Sequence, residues 1–156
     1  MIASITNRFL DLVQRWSWML GCVLVALIFI VSGWGKLMNP HGTAAFMRDA
    51  GIPLSGALMY VVMAVELLGG IALAVGFRLQ SVAFLLAGFM VPATLTAHAF
   101  WSATPDMYSA QLTNLLKNTA IVGSLLTVAG YFAQLTQRFG SERAPKADVA
   151  AGRANA

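Results

Sequence analysis

Residues 55–77 read SGALMYVVMAVELLGGIALAVGF, an apolar run with one charged residue, Glu66, near its middle. The run is long enough to cross a bilayer core, which takes about 20 helical residues. A bilayer core does not hydrate a carboxylate, so Glu66 must find a partner or change its protonation state. A charged residue at this depth is therefore a candidate functional residue.

Three further apolar runs accompany this one and predict an all-α membrane protein with four transmembrane helices. The predicted spans run over about residues 18–37, 55–77, 79–101 and 110–132. The connections between them are short, which favours an antiparallel four-helix bundle. Pro92 lies inside the third span, where a membrane helix tolerates it if neighbouring groups satisfy the freed carbonyl.

The composition excludes a soluble globule. Hydrophobic residues make up 58% of the chain and charged residues only 10%, whereas a soluble domain carries about 25% charged residues. The net charge of +4 fits membrane topology and anionic lipid headgroups, so nucleic acid is not an expected partner. Cys22 is the single cysteine, so the chain forms no disulfide of its own, and no metal-binding pattern is present.

The two ends of the chain differ from the apolar middle. Residues 1–15 predict an interfacial helix, because apolar residues recur there at three- and four-residue steps. The first span is long for a signal peptide and no small-x-small cleavage pattern follows it, so we expect it to be retained. Residues 39–53 predict a loop with a short helix over 44–50. Residues 137–156 predict a disordered cytoplasmic tail, which leaves residues 1–136 as the transmembrane domain.

Basic residues are distributed unequally between the two sides of the predicted bundle. Only Lys36 and Arg48 lie on the side away from the termini. The side of the termini carries seven: Arg8, Arg15, Arg78, Arg138, Arg143, Lys146 and Arg153. The tenth basic residue, Lys117, lies within the fourth span. Because cytoplasmic loops carry the excess of Lys and Arg, both termini are predicted to be cytoplasmic.

Polar side chains within the spans gather in the half of the bundle that lies away from the termini. At a rise of about 1.5 Å per residue, Glu66 is placed near the midplane and the others nearer that side. The set comprises Lys36, Glu66, His98, Asn114, Lys117 and Asn118. Asn114, Lys117 and Asn118 follow three- and four-residue steps and therefore share a helix face. We predict one polar site, in which the whole set binds a ligand and Glu66, His98 and Lys117 are the catalytic residues.

Structural roles are also open for these residues. An ion pair of Glu66 with Lys36 or Lys117 would fix the register of the bundle without any catalysis. Lys36 lies at a helix end, where lysine also extends to the headgroups. His98 lies near an interface, where histidine is often a satisfied core residue.

The segments that carry these residues resemble the DoxX family of small bacterial four-helix membrane proteins, which implies a location in the bacterial inner membrane. The matching segments are FIVSGWGKL (29–37), GIP (51–53), VELLGG (65–70), AHAF (97–100) and LLKN (115–118). The resemblance covers residues of about 18–132, and the GWGK variant is similar to the YqjF-like branch. It implies that the family's recurring polar positions include Lys36, Glu66, His98, Lys117 and Asn118.

The resemblance also implies a function. Some family members resemble a subunit of thiosulfate:quinone oxidoreductase, and others are linked to complexes that handle thiol and superoxide stress. We therefore expect a subunit or accessory of a membrane redox complex, with a quinone as the cofactor, rather than a stand-alone enzyme. The expected partners are membrane lipids and either a protein of that complex or a second copy of the chain.

Two other functions remain open at this point. A non-catalytic membrane scaffold would use the loop of residues 39–53 and the basic tail as contacts for a partner protein. A transporter of protons or a small solute would use the same polar residues to line its path. A transport path needs polar groups in both halves of the membrane, and the sequence places them in one half only.

Overall fold

The computed structural model describes the backbone of residues 2–143 and the side chains of residues 10, 13 and 16–138. The regular structure in that range is helical: α1 (Ile2–Met38), α2 (Pro40–Asp49), α3 (Ser55–Ala74), α4 (Leu79–Ala97), a 3-10 turn (Phe100–Ser102) and α5 (Pro105–Arg143). Four stretches are long and apolar enough to cross a membrane: Trp16–Met38, Ser55–Ala74, Leu79–Ser102 and Pro105–Arg138. The predicted all-α class with four membrane-spanning helices is confirmed.

The two ends of the chain differ from the sequence prediction in where their helices run. The predicted interfacial helix is not a separate element, because α1 continues from Ile2 to Met38 without a break. No proline interrupts this stretch. At the other end, α5 continues to Arg143, so residues 137–143 are helical and not part of a disordered tail. Residues 144–156 lie outside the described part of the chain.

Local hydrogen bonding and backbone conformation explain where α2 begins and where α3 ends. Helix α2 begins at Pro40 rather than near residue 44, because the side-chain oxygen of Asn39 accepts a hydrogen bond from the Gly42 N–H at 3.0 Å. Helix α3 ends at Ala74 rather than near residue 77. Gly76 there has a φ of +79°, a left-handed conformation that glycine adopts without steric cost. The chain consequently reverses within a few residues and enters α4.

The helices pack as two antiparallel pairs. Helix α1 lies along α3, and α4 lies along α5, whereas the two pairs contact each other less extensively. We call the end of the bundle that carries α2 and the 3-10 turn the loop end. The opposite end, where the turn of residues 75–78 joins α3 to α4, is called the turn end.

The apolar core that joins the two pairs lies toward the turn end and reaches about the middle of the helices. Its buried members are Cys22, Ala26, Phe29, Leu73, Leu79, Ala83, Leu86, Ala87, Met90, Leu125 and Ala129. Toward the loop end the packing changes, because residues 105–124 of α5 include no buried residue. A smaller cluster of Ala44, Met47 and Met59 holds α2 against α3. The loop-end half is therefore the less tightly closed part of the bundle.

Close backbone contact between α1 and α3 depends on two glycines. A Cβ atom added to Gly33 would lie 2.9 Å from the backbone nitrogen of Leu67, and one on Gly70 would lie 2.9 Å from Cγ1 of Ile30. Small residues at such positions let membrane helices approach closely. Gly35 on the same helix is different, because a Cβ there would meet no atom within 4 Å.

These contacts predict opposite effects for two alanine substitutions in α1. Gly33→Ala places a methyl group against the α3 backbone, so we expect the free energy of unfolding to fall by about 1–3 kcal/mol. Gly35→Ala meets open space and improves helix propensity by about 1 kcal/mol or less. Thermal unfolding of both variants in the same detergent, followed by circular dichroism, tests the difference. Equal midpoints for the two variants would contradict the close packing at Gly33.

Candidate functional site

Lys36 and Glu66 form an ion pair between α1 and α3. The Lys36 Nζ atom lies 2.6 Å from Oε2 of Glu66 and also 2.6 Å from Oγ of Ser32. The side chain of Glu66 is 10% exposed and that of Lys36 is 27% exposed. Glu66 thus has its partner inside the bundle, and the pair is shielded mainly on the carboxylate side.

The local sequence explains why these three side chains meet. Ser32 precedes Lys36 by four residues, so both lie on one face of α1. Lys36 lies in the last turn of that helix, where the helix dipole favours a positive charge. The Cβ of Glu66 lies close to Gly33, within 3.2 Å of where a Cβ on that glycine would be. The missing side chain at Gly33 therefore brings Glu66 against α1.

A second polar contact links α4 to α5 at the loop end. Nδ1 of His98 lies 3.0 Å from the side-chain oxygen of Gln111. His98 follows the last residue of α4, and its backbone N–H donates to the Thr94 carbonyl at 2.9 Å. The imidazole is half-buried and keeps its second ring nitrogen available, so it can donate or accept a further hydrogen bond according to its tautomer.

The polar residues of α5 divide between two orientations. Asn114 and Asn118 are half-buried and lie on the stripe that continues to Leu125 in the apolar core. Neither amide makes a hydrogen bond to another described residue. Lys117 is exposed at the edge of that stripe. Helix α5 therefore offers two amides with unused hydrogen-bonding capacity and a nearby ammonium group.

The structure brings the predicted site residues together in two groups rather than one. Lys36 and Glu66 meet on the α1–α3 pair, and His98 lies on the α4–α5 pair with the polar residues of α5. The alternative ion pair of Glu66 with Lys117 is not formed. The physical reason is the pairing of the helices, because Glu66 on α3 faces α1 while Lys117 belongs to the helix that packs along α4.

Sequence reasoning did not assign a site role to the hydrogen-bond partners of the ion pair and the histidine. Ser32 was detectable from its four-residue spacing to Lys36, which places both on one face. Gln111 lies at the mouth of the fourth span, three residues before Asn114 and on the same helix face. Its contact with His98 was not predicted, because that contact depends on how α5 is aligned with α4. Among the described residues, no group of three His, Cys, Asp or Glu side chains is placed to hold a metal ion.

Comparisons with known proteins agree on one family. The family model described as DoxX matches residues 17–99. Two Escherichia coli (strain K12) inner membrane proteins are similar over 107 residues, or 69% of this chain: YphA at 28% identity, covered over 76% of its length, and YqjF at 33%, covered over 77%. CatD of Bacillus subtilis (strain 168), provisionally named an oxidoreductase, is 31% identical over 64% of this chain and 70% of its own length. No solved structure matches.

The ion pair predicts non-additive effects on stability. Lys36→Met leaves the buried Glu66 carboxylate without its partner, which costs about 3–5 kcal/mol. Glu66→Leu leaves the partly exposed Lys36 ammonium group with Ser32 alone, so we expect a smaller loss. The double variant replaces the pair with apolar side chains, so its loss of unfolding free energy should be well below the sum of the two single losses. Thermal unfolding in detergent measures the cycle, with Lys117→Met as a control for removing an exposed lysine. Additive losses would contradict a direct Lys36–Glu66 interaction.

Proposed function

This chain belongs to the DoxX family of integral inner-membrane proteins, and from that premise we propose that it is a subunit of a membrane redox complex. Its role in that complex is to bind a quinone or a similar lipid-soluble carrier in the loop-end half of the bundle. The observation that carries the proposal is the set of hydrogen-bonding side chains in that half, several of which have no protein partner among the described residues.

The packing supports access from the lipid. The apolar core closes the bundle toward the turn end, whereas α5 has no buried residue between 105 and 124. A carrier that is dissolved in the bilayer would reach the half-buried amides of Asn114 and Asn118 from the side, without crossing the apolar core. Irregular or polar surface at membrane depth is tolerated where it serves such a binding site.

The side chains match the chemistry that a quinone site requires. A quinone carries two electrons and two protons between membrane partners, and its two carbonyl oxygens need hydrogen-bond donors. His98 and Lys117 supply donors on α4 and α5. In this proposal Glu66 and His98 take up and release the protons of the quinone, and Lys36 holds the carboxylate in place.

The electrons must come from a partner protein that carries a redox group or a reactive dithiol. This chain has one cysteine, Cys22, which is 3% exposed within the apolar core, and a dithiol reaction needs two. The provisional oxidoreductase name of the relative CatD supports a redox setting. The chain is accordingly a subunit of an oxidoreductase in this proposal, and the partner supplies the electron donor.

One observation favours a second candidate, a non-catalytic scaffold. The Lys36–Glu66 pair is complete in itself, with Ser32 as a further partner of the ammonium group. A structural pair that fixes the alignment of α1 with α3 would look the same. Transport is less favoured, because the core residues that close the bundle toward the turn end are apolar apart from the buried thiol of Cys22.

Co-purification tests the redox proposal. We expect mass spectrometry and absorbance spectra of protein extracted from native membranes in mild detergent to detect about one quinone per chain. Glu66→Gln and His98→Ala should each reduce that amount by about tenfold, the effect of losing one good hydrogen bond or charge contact. Gln80→Ala, an exposed polar residue near the turn end of α4, is the matched control. An undiminished amount of quinone in both site variants would overturn the proposal. If the wild-type sample contains phospholipid and a stoichiometric partner protein but no quinone, the scaffold is favoured.

We also propose that the loop end faces the periplasm, and the excess of basic residues near the turn end supports that orientation. His41→Cys on α2 and Gln80→Cys at the turn end introduce exposed thiols at opposite ends of the bundle. Cys22 is buried and contributes little background. A membrane-impermeant maleimide should label His41→Cys in cells with a permeabilised outer membrane, and Gln80→Cys only after the inner membrane is broken. The reverse pattern would place the site on the cytoplasmic side.

A further inference from the structure

The helical threonines whose side chains the structure describes follow one rule with a single exception. Thr96, Thr113 and Thr119 each donate their hydroxyl to a backbone carbonyl three or four residues earlier. The same bond is made by Thr43, Thr127 and Thr136. A hydroxyl in an apolar environment satisfies itself in this way, because no water is present to do so.

Thr94 is the exception. Thr94 is 7% exposed, and its Oγ1 atom has no hydrogen-bond partner in the described part of the chain. Thr94 lies on the buried stripe of α4, four residues after Met90 and four before His98. Burying a hydroxyl without a partner is unfavourable, and no described residue meets the hydrogen-bonding requirement of this buried hydroxyl.

Thr94 lies at about the same level of the bundle as another polar group without a hydrogen-bond partner. His98 contacts Gln111 across the α4–α5 interface. Thr94 lies about one helical turn from His98, and Asn114 lies about one turn from Gln111, both in the direction of the turn end. Thr94 and Asn114 are therefore at about the same level of the bundle. Asn114 also makes no hydrogen bond to a described residue, although it is half-buried on the core-facing stripe.

We propose that the Thr94 hydroxyl and the Asn114 amide bind the polar head of the carrier, with Thr94 donating to one of its carbonyl oxygens. The proposal rests on the proposed function and specifies where in the bundle its ligand lies. An amphiphile with a carbonyl oxygen on an otherwise apolar ring fits, because Met90 and the apolar core adjoin these polar groups toward the turn end. The ligand head thus lies between α4 and α5, one turn below His98.

The unfolding temperature of the ligand-free protein and the dissociation constant for the ligand distinguish a ligand-binding hydroxyl from a structural one. Valine has the shape of threonine without the oxygen, so Thr94→Val removes an unsatisfied buried group from the ligand-free protein and should leave its unfolding temperature unchanged or higher. The same substitution removes a hydrogen bond to the ligand. We expect it to raise the dissociation constant for a short-chain ubiquinone by about tenfold, which corresponds to one hydrogen bond to a desolvated acceptor.

The experiment uses the full-length protein in mild detergent, with the short-chain ubiquinone titrated by isothermal calorimetry. Thr94→Ser keeps the hydroxyl and should bind within about threefold of the wild type. Thr96→Val is the matched control, because the Thr96 hydroxyl is exposed and bonded to its own helix at Pro92 and Ala93. It should bind as the wild type does.

The outcomes distinguish this inference from the function on which it rests. If Glu66→Gln and His98→Ala weaken binding while Thr94→Val does not, the redox proposal stands and the Thr94 contact is overturned. If Thr94→Val lowers the unfolding temperature of the ligand-free protein, the hydroxyl has a structural partner, and the contact is again overturned. If the wild type binds no ubiquinone, both proposals fall. Weaker binding for Thr94→Val alone among the threonine variants supports the contact.

Discussion

The ion pair between Lys36 and Glu66 is the interaction on which the arrangement of this bundle depends. A carboxylate in an apolar span must be neutralised by a partner within hydrogen-bonding reach, and Lys36 meets that need at 2.6 Å. The contact is possible because Gly33 lets the backbones of α1 and α3 approach. Charge neutralisation and close packing therefore fix the same pair of helices, since a shift of either helix would separate the charges.

Pairing α1 with α3 leaves α4 and α5 to pack along each other. The two pairs share an apolar core only toward the turn end, where small and branched side chains such as Ala83, Leu86 and Leu125 are fully buried. Polar residues prevent the same dry packing toward the loop end, because an amide or imidazole loses free energy when it is buried without a hydrogen bond. The division of the bundle into a closed end and an open end follows from that difference.

The polar groups consequently differ in whether their hydrogen-bonding capacity is already used within the protein. Glu66 and Lys36 satisfy each other, whereas Thr94, Asn114 and Asn118 have unused hydrogen-bonding capacity. Groups that satisfy one another stabilise a fold, and groups that do not are either a cost or a binding site. In the proposed site, the α1–α3 pair therefore has its charged groups satisfied, and the α4–α5 interface carries the groups with unused hydrogen-bonding capacity.

Sequence by itself determined the class of protein, the number of spans, the family and the polar positions. Apolar runs of bilayer length admit few other structures, and a charge within such a run is conspicuous. Only the tertiary structure decided which polar residues meet. Lys36 and Lys117 were equally plausible partners for Glu66, and the choice depended on α1 rather than α5 packing along α3. Local spacing does not encode that choice, because it arises from contacts between helices that are distant in sequence, such as Gly33 against Leu67.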